Sequence, residues 1–410
     1  MLLFQMSEII KITLVLFLIL FLIRKKLNIG YVLLIASAAL FILYRMDALS
    51  IADTIKKTVL NSIAINLLLA LSLIRVLELI LREKNILSTM TSTAKVLFKR
   101  RRAVIISMPM LIGMLPSLGG AYFSAPMVKE ATSGIGMSRE EKAFINYWFR
   151  HPWEFILPLY PGILLASAVS NIPLYNLIRA NITYAALLLA TGFLFAMRGM
   201  EKDLPKPKNE AAPKSLQPLL KKELASFLPI IAVLLLVVLL HMELYYALLA
   251  TIVPLLIFYR YSPADIFRVI KYGFALEVIL LIFGIMLFKE TLEASGAVRN
   301  LSRFFIEQKI PLLPIICLLP FTTGMLTGLT VGFVGSTFPL LINISGGAPL
   351  ANITLAFAAG FIGVLLSPVH LCLVLTKEYF KADMWGMYKR MLPASAVILA
   401  AALIEYTVLR

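Results

Sequence analysis

Charged residues are scarce in this chain of 410 residues. Asp, Glu, Lys and Arg together make up 15% of it, whereas they form about a quarter of a typical soluble domain. Hydrophobic residues reach 60%, and the mean hydropathy is +0.90. Because these residues fall in long blocks, the composition excludes a soluble globular domain and predicts an all-α polytopic membrane protein.

Cysteine and histidine are also rare, with two and three copies. Cys317 and Cys372 both lie in apolar segments, which excludes a disulfide framework and provides no metal-ligand spacing. The chain has no H-E-x-x-H, G-x-S-x-G or P-loop motif, so we expect neither an enzyme nor an ATP-driven pump. The sequence therefore predicts no metal and no organic cofactor.

Acidic residues are outnumbered by basic ones, 22 to 39, which gives a net charge of +17. When the N terminus is placed outside, 27 of the 39 Lys and Arg residues fall in loops on the cytoplasmic side, as the positive-inside rule requires. The charge then reports topology and contact with the lipid bilayer, and not nucleic-acid binding. We expect a multi-pass protein of the cell membrane (inner or plasma membrane) with both termini outside.

Ten apolar runs are predicted to span the membrane, five in each half of the chain. A polar, basic, proline-bearing stretch over 201–224 separates the halves and is predicted to be a cytoplasmic linker. The halves are then 1–200 and 225–410. The predicted spans are 9–23, 28–44, 59–81, 142–168, 173–197, 225–241, 244–259, 272–288, 350–376 and 391–408.

Each half holds one further apolar stretch, 103–129 and 311–344, that does not fit a simple crossing. A Gly-rich motif, beginning at Gly113 in one and Gly324 in the other, divides each stretch into two short arms. Arms of at most about 15 residues are shorter than a crossing helix and favour re-entrant hairpins. Five crossings per half is an odd number, so the second half should lie upside down relative to the first. Such inverted repeats are typical of secondary transporters.

The two hairpin tips are the predicted binding site. Glycine permits close backbone approach, and helices broken within the membrane present N–H groups to anions and carbonyls to cations. Hydroxyl oxygens suit a carboxylate substrate or Na⁺, for which we expect a site near Ser117 and Thr327. Small residues also simply allow close helix packing, but their duplication at matching places favours a site. The predicted tip residues are Ser117, Gly119, Gly120, Ser124, Thr327, Thr330, Gly332, Ser336 and Thr337.

The fourth span, 142–168, carries charges deep in the membrane. Arg150 lies about 12 Å from its cytoplasmic end, and Pro152 breaks the helix beside it. An arginine at that depth costs at least about 2.5–3.5 kcal/mol, so it should face a polar cavity or a partner. We expect Arg150, with Asn146 on the same helix, to bind an anionic substrate. Alternatively, Arg150 pairs with Glu154, four residues later, and only stabilises the break.

The ninth span, 350–376, is the counterpart of the fourth. Pro368 interrupts it, and His370 lies beside that proline just as His151 lies beside the proline of the fourth span. A single membrane histidine is usually a packed, hydrogen-bonded side chain, but the symmetric placement of two favours a titrating role. The predicted proton carriers are His151, Glu154 and His370.

With these motifs the chain resembles the ion transporter superfamily, and within it the integral-membrane family known as domain of unknown function 401. The resemblance rests on the hairpin motifs at 113–126 and 324–339 and on the breaks at His151-Pro152 and Pro368. It implies that the hairpins, the broken spans and the last span of each half form a moving transport domain. The other spans would form a scaffold, which is often a homodimer, and transport would follow elevator-like alternating access.

Taken together, the sequence predicts a secondary active transporter of a small anionic solute, an organic acid or an oxyanion, coupled to Na⁺ or H⁺. Three alternatives stay open. A passive anion channel would use the same helix ends. An intramembrane metal-dependent enzyme would use His151 and Glu154 around a metal. A non-transporting membrane scaffold would bind partners through the linker and would need no broken helices.

Overall fold

The computed structural model describes residues 2–25, 27–86, 89, 101–114, 120–134, 136–196, 225–297 and 311–409. Over these ranges the chain is α-helical and contains no β-strand. The predicted linker 201–224 and the first hairpin's tip lie outside them. Helices of the first half are α1 (Leu2–Arg24), α2 (Ile29–Leu43), α3 (Ala48–Val59), α4 (Ser62–Glu83), α5 (Arg101–Gly113), α6 (Gly120–Ala131), α7 (Arg139–Trp148), α8 (Trp153–Ile156), α9 (Pro161–Ser170) and α10 (Leu174–Ala196).

Within the described ranges, the second half follows the same order of helices except that the short α8 has no counterpart. A short 3₁₀ turn at Ala225–Phe227 precedes its first helix. The helices are α11 (Leu228–Val238), α12 (Leu244–Phe258), α13 (Pro263–Gly273), α14 (Leu276–Ala294), α15 (Leu312–Thr327), α16 (Thr330–Ile344), α17 (Leu350–Leu366), α18 (Leu371–Phe380) and α19 (Met384–Leu409).

Polar residues between the apolar runs determine where several helices begin. The Asn61 side chain accepts hydrogen bonds from the backbone N–H groups of Ile63 and Ala64 at the start of α4. Ser138 and Glu141 form a capping box at the start of α7. Such caps satisfy N–H groups that have no partner within the first turn of a helix. The boundaries of these helices therefore follow from local sequence.

Left-handed turns recur at matching places in the two halves. Arg45 follows α2 with φ 51°, and Arg260 follows α12 with φ 50°. Asn171 follows α9 with φ 56°, and Lys381 follows α18 with φ 52°. Because few residues other than glycine adopt positive φ, their recurrence indicates that the backbone course repeats. Whether the two halves are inverted across the membrane stays a prediction.

Ten apolar helical segments correspond to the ten predicted spans. Within the described ranges, six of them are long and apolar enough to cross a membrane by length and composition. These are α4, α7–α9, α10, α13–α14, α17–α18 and α19. The other four, α1, α2, α11 and α12, contain shorter apolar stretches. The prediction of an α-helical multi-pass membrane protein is confirmed.

Two short helices, α3 and α13, lie where the sequence analysis leaves loops between spans. Each buries one face only: Thr54 and Thr58 in α3, and Val269 and Gly273 in α13. An amphipathic helix has apolar residues on a single stripe, so a search for long apolar runs does not detect it.

The helices pack in two groups. One contains both hairpins and both broken spans (α5–α10 and α15–α19), with α17 packed on α15 and α19, and α10 on α19. The other contains α1–α4 and α11–α14, with α2 packed on α14, and α4 on α12 and α13. The main contacts between the groups are α9 with α4, α14 with α16 and α1 with α15. The hairpins therefore belong to a different packing unit from the first spans of each half.

The second predicted hairpin consists of α15 and α16, which pack against each other. The chain reverses at Gly328, where φ is 63°, and Leu329. The arms have 16 and 15 residues and extend about 24 and 22 Å at about 1.5 Å per residue. Both are shorter than the bilayer core of about 30 Å. The arms of the first hairpin, α5 and α6, also pack on each other.

Glycines join the second hairpin to the broken span behind it. A Cβ added at Gly363 would overlap the backbone oxygen of Phe321, and one at Gly324 would overlap that of Gly360. The backbones of α15 and α17 are therefore in direct contact, which small residues permit in membrane helices.

Replacing Gly363 with alanine should destabilise the protein, because the new methyl group must separate two touching backbones. Overpacking of this kind costs about 1–3 kcal/mol. Thermal unfolding of the purified protein in detergent measures the change. The matched control is Gly136→Ala, because a Cβ at Gly136 meets no atom within 4 Å. Equal stability of the two variants would contradict the close approach of α15 and α17.

Candidate functional site

The first helix break lies between α7 and α8. The backbone hydrogen bonds of α7 end at His151, whose N–H donates to the Trp148 carbonyl at 3.2 Å. Pro152 has no N–H and cannot continue the series of helical hydrogen bonds. Arg150 and His151 lie in the break itself, and Glu154 lies on α8. Three polar side chains are thus concentrated where the helix is interrupted.

The first hairpin ends against this break. A Cβ added at Gly113, the last residue of α5, would overlap the backbone oxygen of Arg150. The Tyr160 hydroxyl donates to the Gly113 carbonyl, and Trp153 Nε1 donates to the Met110 carbonyl at 2.7 Å. These contacts fix the end of α5 against the backbone of the first break.

The second break lies between α17 and α18 and includes Pro368 and His370. The tip of the second hairpin lies against it, since a Cβ added at Gly328 would come within 2.9 Å of His370 N. His370 Nδ1 lies 2.7 Å from the Gly328 carbonyl and donates to it. Each break is therefore in contact with one hairpin.

The two breaks meet at their histidines. His151 Nε2 lies 3.2 Å from His370 Nε2, although 219 residues separate them along the chain. Both side chains are buried, with 2% and 8% of their surface exposed. His151 Nδ1 donates to the Tyr147 carbonyl at 2.6 Å. The two residues that the sequence pairs by position are thus in direct contact.

Glu154 connects this pair to the second hairpin. Its Oε1 lies 3.8 Å from His151 Nε2, and its Oε2 accepts a hydrogen bond from the Thr330 hydroxyl at 2.7 Å. Thr330 is the first residue of α16. A buried carboxylate needs such partners because an unpaired charge is costly away from water. One carboxylate therefore joins the first break to the second tip.

Arg150 is 4% exposed, and its Nη1 is buried without a hydrogen-bond partner in the described part of the chain. It forms no ion pair with Glu154 there, since the polar contacts of that carboxylate are with His151 and Thr330. The stabilising Arg150–Glu154 pair, offered by the sequence as an alternative, is not present. A buried guanidinium with a free N–H is a strong donor for an anion.

A cavity of about 560 Å³ opens onto these side chains, a size typical of small-molecule sites. Both breaks, the second hairpin tip, α4 and α14 form its wall. The cavity therefore lies between the two helix groups. Its polar and charged lining residues are Arg75, Glu78, Arg82, Arg150, His151, Glu154, Tyr160, Tyr272, Glu277, Thr330, His370 and Cys372.

The remaining tip residues of the second half mostly face elsewhere. Ser336 and Thr337 donate to carbonyls of their own helix, at 2.6 and 2.7 Å. Gly332 is buried in α16. Thr327 lines a neighbouring cavity of about 600 Å³, and its hydroxyl accepts from Leu329 N at 3.3 Å. Among the predicted tip residues of the second half, Thr330 is linked to His151 through Glu154.

The corresponding residues of the first half form a second polar link. Asn146 Nδ2 donates to the Ala121 carbonyl at 3.1 Å and to the Thr376 hydroxyl at 3.0 Å. It thereby ties α7 to α6 and α18. Ser124 is buried on α6, which begins at Gly120. The other two predicted residues, Ser117 and Gly119, lie outside the described ranges.

Two features of the site have no clear sequence signal. Cys372 belongs to it: the ligand atoms of Cys372, His151 and His370 all lie within 4.8 Å of one another. Arg75 also lines the cavity and packs over the Tyr272 ring, with 4.7 Å from its Cζ to the ring centroid. In the sequence, Cys372 lies in an apolar segment and shows no metal-ligand spacing. Its spacing of two residues from His370 is the one local hint.

Thr330→Val should destabilise the protein, because the buried Glu154 carboxylate loses its hydroxyl donor. Hydrogen bonds to charged groups contribute about 1.5–3 kcal/mol. The control is Thr322→Val, whose exposed hydroxyl donates to the Leu318 and Leu319 carbonyls of its own helix, at 2.7 and 3.1 Å. Thermal unfolding of both variants in one detergent measures the difference, and equal losses would rule out a structural role for the Glu154–Thr330 bond.

Comparison with known proteins gives one match over nearly the whole chain. No curated protein matches it. A family profile described as "Protein of unknown function (DUF401)" matches residues 7–409, which include both hairpins and both breaks. The family part of the resemblance is thereby confirmed, and the wider placement in the ion transporter superfamily stays a prediction. The chain belongs to the DUF401 family and is an α-helical, multi-pass membrane protein.

Proposed function

We propose that this protein is a secondary active transporter of a small anionic solute, an organic acid or an oxyanion, coupled to Na⁺ or H⁺. The observation that carries the proposal is Arg150, a buried guanidinium whose Nη1 has no hydrogen-bond partner among the described residues, at the junction of two broken helices. Broken helices are tolerated in membranes where they line a cavity or are buried in protein. Paired breaks in two halves are a feature of secondary transporters.

A second positive feature faces the same cavity. The tip of the second hairpin contributes Leu329, Thr330 and Val331 to the cavity wall, and α16 begins at Thr330. The first N–H groups of a helix are unpaired within it and attract anions. Arg150 and the start of α16 together favour a solute with a carboxylate or oxyanion group.

The charge distribution supports a cytoplasm-facing cavity. Arg75, Glu78 and Arg82 line it from the end of α4 that the positive-inside rule places in the cytoplasm. Arg82 is the more exposed partner of an ion pair with Glu78, with side-chain exposures of 54% and 11%. Under the predicted topology, this cavity would correspond to an inward-facing state of the proposed carrier.

The two helix groups support an elevator-like mechanism of alternating access. The hairpins and broken spans carry the proposed solute site, and the other group carries the opposite cavity wall. Sliding of one group against the other would change the side to which the cavity opens. A homodimer built on the second group would provide the fixed scaffold. His151, Glu154 and His370 are the groups available for a proton, and Thr327 offers oxygen to Na⁺.

Arg150→Gln should weaken binding of an anion by about 10- to 100-fold, because a charge-assisted hydrogen bond of about 1.5–3 kcal/mol is lost. Purified protein is first screened by thermal shift against citrate, succinate, gluconate and phosphate, with Na⁺ present or replaced and pH varied. A bound ligand stabilises the folded protein by RT ln(1 + [L]/Kd), so the unfolding temperature rises with the logarithm of the affinity. The hit is then measured as counterflow in proteoliposomes.

Arg179→Gln provides the matched control for this substitution, because Arg179 is exposed on α10. It should leave the affinity unchanged. A wild-type affinity in Arg150→Gln would contradict the assigned role. Simple leak without counterflow would favour a passive channel over a carrier.

The predicted topology gives a separate test by thiol labelling. In a background without the native cysteines, a membrane-impermeant maleimide should label Glu243→Cys in intact cells. It should label Lys208→Cys only after the membrane is permeabilised, because the linker is predicted to be cytoplasmic. The reverse pattern would overturn the orientation and the inward-facing assignment.

A further inference from the structure

We propose that His151, His370, Cys372 and Glu154 form a binding site for one divalent transition-metal ion of the zinc class. The inference depends on the geometry of these side chains and holds whether or not the protein transports a solute. It differs from the expectation of no metal drawn from the sequence. The ligands come from two segments, 151–154 and 370–372, that only the fold brings together.

The hydrogen bonds of the two imidazoles fix where their protons lie. Nδ1 of His151 is 2.6 Å from the Tyr147 carbonyl, and Nδ1 of His370 is 2.7 Å from the Gly328 carbonyl. A carbonyl oxygen only accepts hydrogen bonds, so each Nδ1 must carry a proton. Each neutral imidazole therefore presents an unprotonated Nε2 to the other.

Two lone pairs cannot face each other in a buried site without a cation between them. The Nε2 atoms are 3.2 Å apart, and both rings are buried. A proton or a metal ion would satisfy both nitrogens. Two tetrahedral ligands at about 2.0–2.1 Å from zinc lie about 3.3 Å apart, which is close to the separation observed here.

The other donors around the pair favour the metal. The ligand atoms of Cys372 and of both histidines lie within 4.8 Å of one another, and Glu154 Oε1 is 3.8 Å from His151 Nε2. A shared proton would use only the two nitrogens. Two imidazoles, a thiolate and a carboxylate are the nitrogen, sulfur and oxygen ligands that zinc takes in proteins. Cys372 and the two histidines form the core of the proposed site. Glu154 is not within that group of three, and its carboxylate would have to move inwards to complete a tetrahedral shell.

Hydrogen bonds to neighbouring groups orient three of the four ligands. Metal-bound histidines usually donate their other N–H to a carbonyl or carboxylate, and metal-bound carboxylates are hydrogen-bonded in turn. Both histidines donate to carbonyls here, and Glu154 Oε2 accepts from Thr330 at 2.7 Å, leaving Oε1 towards the histidines. The thiolate and the carboxylate would balance the charge of a divalent ion, so Arg150 would keep its positive charge for an anion.

The site would tie the first break to the second, since its ligands come from both. It would also remove the two histidines and Glu154 from the proton carriers, because their lone pairs would be occupied. The proposed transporter would then depend on Na⁺ for coupling. The metal would act as a fixed structural element between the two broken spans.

The test uses the full-length protein in detergent, purified with a tag that contains no histidine. The protein is stripped with a chelator and titrated with Zn²⁺ against a chromogenic chelator. We expect one zinc per chain. Loss of a group that merely hydrogen-bonds to a metal ligand weakens metal binding by about 10- to 100-fold. Because His370→Ala and Cys372→Ser each remove a ligand itself, each should weaken zinc binding by more than this. His241→Ala and Cys317→Ser, which remove the third histidine and the other cysteine, should bind as the wild type does.

Cobalt binding tests the same ligands first in the wild-type protein, so that this part of the test does not depend on whether a variant folds. Co²⁺ should give a tetrahedral visible spectrum with a thiolate charge-transfer band, and Cys372→Ser should lose that band. Absence of stoichiometric zinc in the wild type would overturn the proposal. Equal losses in the control variants would overturn it too. Arg150→Gln should leave zinc binding intact, so failure of the transport proposal and failure of the metal proposal give different results.

Discussion

A helix broken inside a membrane exposes backbone groups that lipid cannot hydrogen-bond, and this constraint organises the whole molecule. Both breaks are buried against protein: α5 covers the first, and the tip of the second hairpin covers the second. Their contact through His151 and His370 places the interruptions of the two halves at one point. The hairpins, the glycine contacts and the polar cluster all follow from the need to enclose these interruptions.

The enclosed region has an uneven distribution of charge. Arg150 brings a buried cation whose Nη1 has no partner among the described residues. The histidines, Glu154 and Cys372 bring nitrogen, oxygen and sulfur lone pairs. One end of the cluster is thus suited to an anion and the other to a cation. Two such sites side by side would let binding at one influence binding at the other, as the proposed coupled transport requires.

Much of this arrangement could be predicted from the sequence, because its causes are local. A proline in the interior of a helix breaks or kinks it, as Pro152 and Pro368 do. The hairpin arms can be recognised in the sequence because their apolar runs are shorter than a membrane-crossing helix. The matching role of His151 and His370 could be inferred from their places near the two prolines, whereas their direct contact could not. These features need no knowledge of how the helices pack.

The features that sequence did not reveal depend on helix rotation and packing. Ser336 and Thr337 match the motif but donate to their own helix, and a linear motif does not tell which face of α16 turns towards the cavity. Cys372 reaches the histidines only because two segments far apart in sequence meet. The amphipathic helices α3 and α13 are too polar to appear as apolar runs.

The central claim is that the two breaks form one shared polar site. A double-mutant cycle between His151→Asn and His370→Asn, measured by thermal unfolding of the protein in detergent, tests it directly. If the breaks share a site, the double variant should lose less stability than the sum of the single variants, with a coupling of about 0.5–3 kcal/mol. Additive losses would mean that the two histidines act independently, and would contradict the account.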